Sequence, residues 1–162
     1  MMQPACRSLL CRAAVLLAIL VAPSSAPRAD EAAGEKTIVF VCLHGVVNSQ
    51  MAAAYFNKVA KERGLSFAAV SRGIDLYRSI PVRIQDGLAL DGLEPANAPL
   101  ALTAEEAGRV NQVLAFDTIP DDRKGTANVI YWSGIPLGID DYEATRDEIA
   151  RRVDALVVTL GK

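Results

Sequence analysis

The chain has one histidine, one tryptophan and three cysteines, and two of the cysteines, Cys6 and Cys11, lie ahead of its longest apolar run. That run, Ala13 to Ala22, is ten residues long, too short for the roughly 20 that a helix needs to span a bilayer. The basic Arg7 and Arg12 precede or abut it, and Pro23-Ser24-Ser25-Ala26 and Ala29 follow. This is the three-part form of a secretory signal peptide. Residues 1–29 are therefore expected to be removed, leaving a periplasmic or secreted protein with no membrane contact after leader cleavage. Cys42 is then the only thiol, which excludes an internal disulfide framework. A lone thiol in an oxidising compartment is either buried or used.

Positive charge is also scarce. The leader carries Arg7, Arg12 and Arg28 and no acid, so its loss takes the formal charge from −2 to −5 for a chain starting at Asp30. An acidic domain lacks the basic patches that nucleic acid requires. About 130 residues remain, enough for one domain with one core. Residues 30–36 read as a flexible lead-in and 37–162 as the folded domain. No internal repeat is present.

What is there alternates between strand and helix. Thr37 to Leu43 is continuously apolar, as a strand buried on both faces must be. Ser49 to Arg63 has helical periodicity and ends at Gly64. Ser66 to Ser71 reads as a strand, and Pro81 opens a helix to Leu90. Thr103-Ala104-Glu105-Glu106 has the form of a capping box. Val110 to Phe116 and Asn128 to Trp132 are further strands, separated by a solvated turn at 121–125. A last helix runs from about Asp141, its expected N-cap, to Leu160. The order implies an α/β fold: an open four-stranded parallel sheet with helices on both faces, a flavodoxin-like three-layer sandwich. Such sheets bind ligands beyond the carboxyl ends of their strands, and Cys42 stands at that end of the first.

Cys42 closes a strand, and Leu43-His44-Gly45-Val46-Val47-Asn48 lead into a helix beginning near Ser49. A helix N-terminus carries about half a positive charge and unpaired N–H groups, so it favours an anion. Phe40-Val41-Cys42-Leu43 followed by Asn48-Ser49-Gln50-Met51-Ala52 resembles the phosphate loop of the low-molecular-weight protein tyrosine phosphatases and the related arsenate reductases. The resemblance covers roughly residues 36–160. In that family the loop reads cysteine, five residues, arginine, then serine or threonine. It implies that Cys42 is the nucleophile of a phosphocysteine mechanism and that Ser49 donates to its sulfur. It also implies that the backbone from Leu43 to Asn48, with His44, Gly45, Val46 and Val47 between, holds a phosphate-like oxyanion. No cofactor and no metal are expected.

Two charged helpers are out of place. Asn48 occupies the arginine position, although a catalytic arginine on a transferring phosphoryl group is worth about 10³–10⁵ in rate. Arg72 and His44 are the candidates to replace it, and Asn48→Arg is expected to raise turnover. The family's general acid follows the fourth strand, but Trp132-Ser133-Gly134-Ile135-Pro136 contains no acid. Asp140 is the candidate there, and Asp117 could line the pocket. The expected function is impaired phosphomonoester hydrolysis. The alternative is a non-catalytic module that binds an oxyanion or a partner in the same pocket. Arsenate reduction ranks lower, because its thioredoxin-coupled form needs further cysteines. A thiol-redox role ranks lower still, because no resolving cysteine is present.

Overall fold

A computed structural model describes residues 36–162. The leader expected over 1–29 and the lead-in, all but its last residue, lie outside the described residues. The chain forms β1 (Lys36–Cys42), α1 (Asn48–Glu62), β2 (Phe67–Gly73), α2 (Val82–Leu90), α3 (Ala104–Arg109), β3 (Gln112–Ala115), α4 (Asp121–Lys124), β4 (Val129–Tyr131) and α5 (Tyr142–Leu160). The four strands make one sheet in the order β2-β1-β3-β4, all parallel.

Strand alternation divides the core into two layers. From β1, Ile38 and Phe40 face α1 and α5, joining Met51, Phe56, Ile149 and Val153. Val39 and Val41 face the other way, joining Val113, Ala115, Leu102 and Ala107. Every one of these β1 side chains is fully buried, which is why the strand reads as unbroken apolar sequence. The α5 stripe of Ile149, Val153 and Val157 is likewise buried.

Helix ends follow their capping residues. Asp141 accepts from the Ala144 N–H and starts α5 as expected. Thr103 accepts from the Glu106 N–H, but the box is half-formed, because the Glu106 carboxylate is engaged by Arg72. The turn expected at 121–125 contains a single helical turn, α4, carrying its own Lys124–Asp121 ion pair. Asp91 at the end of α2 accepts from both Tyr55 (2.5 Å) and Tyr142 (2.7 Å), tying α1, α2 and α5 together. Burial, then the bond to Asp91, push both phenols well above their ordinary range, so they remain donors in alkali.

Arg152 of α5 secures the end of β4. Its Nη2 donates to the Ser133 carbonyl at 2.9 Å, and its guanidinium lies 5.9 Å from the Trp132 ring centroid. Its Nε donates to Glu148, which also receives Arg151. The bonds from Arg151 and then Arg152 hold the Glu148 carboxyl at about 2, from an ordinary 4.5. A carboxyl lowered on folding contributes stability above its unfolded value and loses it as pH falls through the folded one. Urea unfolding of wild type and Glu148→Gln should therefore differ fully above about pH 4.5, and the gap should close toward pH 2. A gap independent of pH would contradict this role.

Candidate active site

The loop 43–47 leaves the carboxyl end of β1 between its neighbours β2 and β3. Gly45 adopts φ +68, which favours glycine. A β-carbon there would lie 2.8 Å from the Gly73 nitrogen, so the loop also needs glycine for space.

The loop's carbonyls are turned into the protein. Leu43 O accepts from the N–H groups of Ile74 and Asp75, and His44 O from that of Tyr77. Gly45 O accepts from Gln50 Nε2 at 3.2 Å and lies 3.3 Å from Ser71 Oγ. By contrast, the N–H groups of His44 to Gln50 donate to no protein acceptor among the described residues. Carbonyls turned into the protein and amides left unpaired at the start of a fifteen-residue helix make a donor-lined concavity that favours an anion. Val47, the N-cap, supplies no side-chain oxygen to fill it.

Cys42 Sγ lies 2.9 Å from Ser49 Oγ, and Ser71 Oγ donates to Ser49 Oγ at 2.8 Å. With the Ser71 proton on Ser49, the Ser49 proton is free to point at the sulfur. Both serines are fully buried and Cys42 is nearly so. Ser71 is a site residue that the sequence reading missed. Its signal was a hydroxyl in the otherwise apolar run Phe67-Ala68-Ala69-Val70, on the Phe40 face of the sheet. Gln50 was missed too. It braces the loop from behind, donating to Gly45 and Asn97 and accepting from Ala96.

Several expected contacts are placed otherwise. Arg72 does not supply the missing charge. It pairs with Val41 in register, so it lies on the opposite face of the sheet from Ser71, where it forks onto Glu106. The Leu43 N–H is not free, because it donates to Asp117 Oδ2 at 2.8 Å. His44 stacks on Tyr77 with centroids 3.8 Å apart, and its Nδ1 lies 2.6 Å from the Asp75 carbonyl. A carbonyl can only accept, so Nδ1 carries a proton and donates it to the Asp75 carbonyl.

The Asn48 side chain also faces away from any anion in the loop. Its amide donates to Pro136 O and accepts from Gly138 N–H, both at 2.9 Å. An arginine at 48 would forfeit both bonds, so Asn48→Arg would exchange this anchor for a charge. The Asp140 carboxylate is exposed and makes no hydrogen bond among the described residues. No cluster of three or more metal-ligating side chains occurs among the described residues.

The sequence model of the family described as low molecular weight phosphotyrosine protein phosphatase matches residues 37–162. Solved structures repeat the fold. One is a cysteine-to-serine mutant of the YwlE arginine phosphatase of Bacillus subtilis with a phosphorylated active-site serine. It is 23% identical, with a TM-score of 0.70 over 78% of this chain and 96% of that one. YfkJ from the same organism is 18% identical, with a TM-score of 0.70 over 78% and 95%. An arsenate reductase from Archaeoglobus fulgidus is 26% identical, with a TM-score of 0.59 over 74% and 98%. No curated protein gives a significant match.

Proposed function

The chain belongs to the low molecular weight phosphotyrosine protein phosphatase family, and we propose that it is a slow phosphomonoester hydrolase working through a phosphocysteine on Cys42. The observation that carries this reading is the Cys42–Ser49 contact at 2.9 Å at the base of a loop whose amides from His44 onward have no protein acceptor among the described residues. The sulfur attacks phosphorus, an S–P bond forms as the ester P–O bond breaks, and the leaving oxygen takes a proton. Water then cleaves the S–P bond, releasing phosphate and restoring the thiol. Protonation of the leaving group is assigned to Asp140. The slowness follows from Asn48, since a neutral, already bonded amide supplies none of the roughly 10³–10⁵ that an arginine contributes. The protein works after export to the periplasm or beyond, on a phosphorylated side chain or small ester.

A second reading is favoured by the same Asn48 bonds. With no guanidinium in the loop and no acid directly after β4, the protein is a non-catalytic oxyanion receptor or docking module. Arsenate reduction has less support, because no second thiol remains after leader cleavage.

Calorimetry with phosphate, sulfate and arsenate, beside aryl phosphate turnover on the same sample, separates these readings. Binding with turnover supports the hydrolase, and binding without turnover supports the receptor. Absence of both rejects the hydrolase and the oxyanion receptor together and leaves the docking module.

A further inference from the structure

The outer edge of β2 is closed by side chains. Strand alternation turns the backbone groups of Ala69, Ser71 and Gly73 away from β1, toward the rim of the sheet. Asn57 of α1 exchanges a pair of hydrogen bonds with Ala69: its Nδ2 donates to the carbonyl at 2.9 Å and its Oδ1 accepts from the N–H at 2.7 Å. Asn97 does the same for Ser71, at 3.1 Å and 2.8 Å. Leu100 and Leu102 complete the edge at Gly73. A carboxamide carries the donor and the acceptor of a peptide group, so each asparagine stands in for a neighbouring strand.

The two asparagines differ in what they hold. Ala69 has no polar side chain, whereas Ser71 carries the hydroxyl that donates to Ser49. That hydroxyl has two acceptors in reach, Ser49 Oγ at 2.8 Å and Gly45 O at 3.3 Å. A proton sent to Ser49 leaves the Ser49 proton to the Cys42 sulfur. A proton sent to Gly45 opens the Ser71 oxygen as a rival acceptor. The choice depends on where the Ser71 backbone is held. Asn97 also reaches the loop by a second route, because its own carbonyl accepts from Gln50 Nε2 at 2.9 Å, and Gln50 donates to Gly45 O. Pro95 and Pro99 flank Asn97 and stiffen the chain on either side of it.

We propose that Asn97 is a positioning residue for Cys42: by pinning the Ser71 N–H and carbonyl from the rim of the sheet, it sets the Ser71–Ser49–Cys42 relay in the direction that favours the thiolate. A hydrogen bond donated to the sulfur stabilises its charged form. Asn97 does this without touching the sulfur, either relay hydroxyl or the unpaired amides of the loop. The role therefore holds for a hydrolase and for a receptor alike.

Alkylation of Cys42 by iodoacetamide, followed by peptide mass spectrometry on the full chain, reads the thiolate with a neutral reagent. The ratio of the rates at about pH 7 and about pH 10 cancels access to the sulfur, because an ordinary thiol, with its pKa of about 8.5, is almost fully ionised at the higher value. In Asn97→Ala this ratio should fall by about threefold or more. Asn57→Ala removes the equivalent pair of bonds from the same edge and should leave the ratio unchanged, which is what a merely structural loss does. Ser71→Ala should lower the ratio as well, and adding Asn97→Ala to it should lower it no further, since Asn97 acts through Ser71. An unchanged ratio in Asn97→Ala, an equal fall in Asn57→Ala or a further fall in the double variant overturns the proposal. So does a wild-type Cys42 that resists alkylation at both pH values. If Asn97→Ala does not fold, Asn97→Gln, whose carboxamide is displaced by one carbon, takes its place with the same expected fall. Slow or absent aryl phosphate turnover in these proteins bears on the hydrolase reading alone.

Discussion

Aryl phosphate turnover is expected to fall by about a hundredfold or more, to the uncatalysed background, in Cys42→Ser. Oxyanion binding should change little in the same variant. The reason lies in the division of labour within the loop. In the proposed reading the anion is held by amides of the segment 44–50, which have no protein acceptor among the described residues and which the substitution leaves in place. The S–P bond has no other origin, because Cys42 is the only cysteine among the described residues. A serine hydroxyl can still exchange a hydrogen bond with Ser49, so the Ser71–Ser49 relay stays satisfied and the fold is kept. Continuous release of nitrophenolate from p-nitrophenyl phosphate, with phosphate calorimetry on the same variant, gives both readings. Equal slow turnover in wild type and Cys42→Ser would remove the hydrolase reading. Loss of binding together with turnover would mean that the sulfur, not the amides, holds the anion.

Gly45→Ala is expected to destabilise the protein by about 2–5 kcal/mol, combining left-handed backbone strain of about 1–2 kcal/mol with overpacking of about 1–3 kcal/mol. Gly45 has φ +68, and its added methyl would meet the Gly73 nitrogen at 2.8 Å. The obstacle is backbone, which cannot swing aside as a side chain could. Relief requires the loop to lift from the end of β2, pulling Leu43 O from Ile74 and Asp75. Oxyanion affinity should therefore fall with stability. Gly64→Ala is the control. Gly64 also has positive φ, but a methyl group there meets nothing within 4 Å, so it should cost only the backbone strain of about 1–2 kcal/mol. Equal urea midpoints for the two variants would show that the Gly45–Gly73 approach carries no energy.

The two glycines mark how far the sequence could be read. Both fall in turns that the sequence marks, one ending a helix and one inside the phosphate loop. Only the packed sheet distinguishes them, because Gly73 lies twenty-eight positions away and meets Gly45 across the β1–β2 edge. Arg72 shows the same limit. Its neighbours Ser71 and Gly73 lie beside the loop, so sequence proximity makes Arg72 a candidate cation. The strand period of two sends it to the opposite face, and Glu106, placed by the Thr103 cap, is there to receive it.

The sequence by itself determined the order of strands and helices apart from α4, the parallel sheet, the two-faced burial of β1, and the cysteine–loop–helix unit at its carboxyl end. These follow from apolar periodicity, glycine and capping signals, all local in the chain. The tertiary structure alone decided what the polar side chains around Cys42 do. Ser71 became the partner of Ser49, Asp117 closed the Leu43 amide, and Asn48 turned from an expected phosphate contact into a bridge to Pro136 and Gly138. A hydrogen bond depends on distance and direction in space, and these partners lie from 22 to 90 positions apart in the chain. Cys42 therefore kept the place that the sequence implied, whereas the charges expected around it were placed by packing.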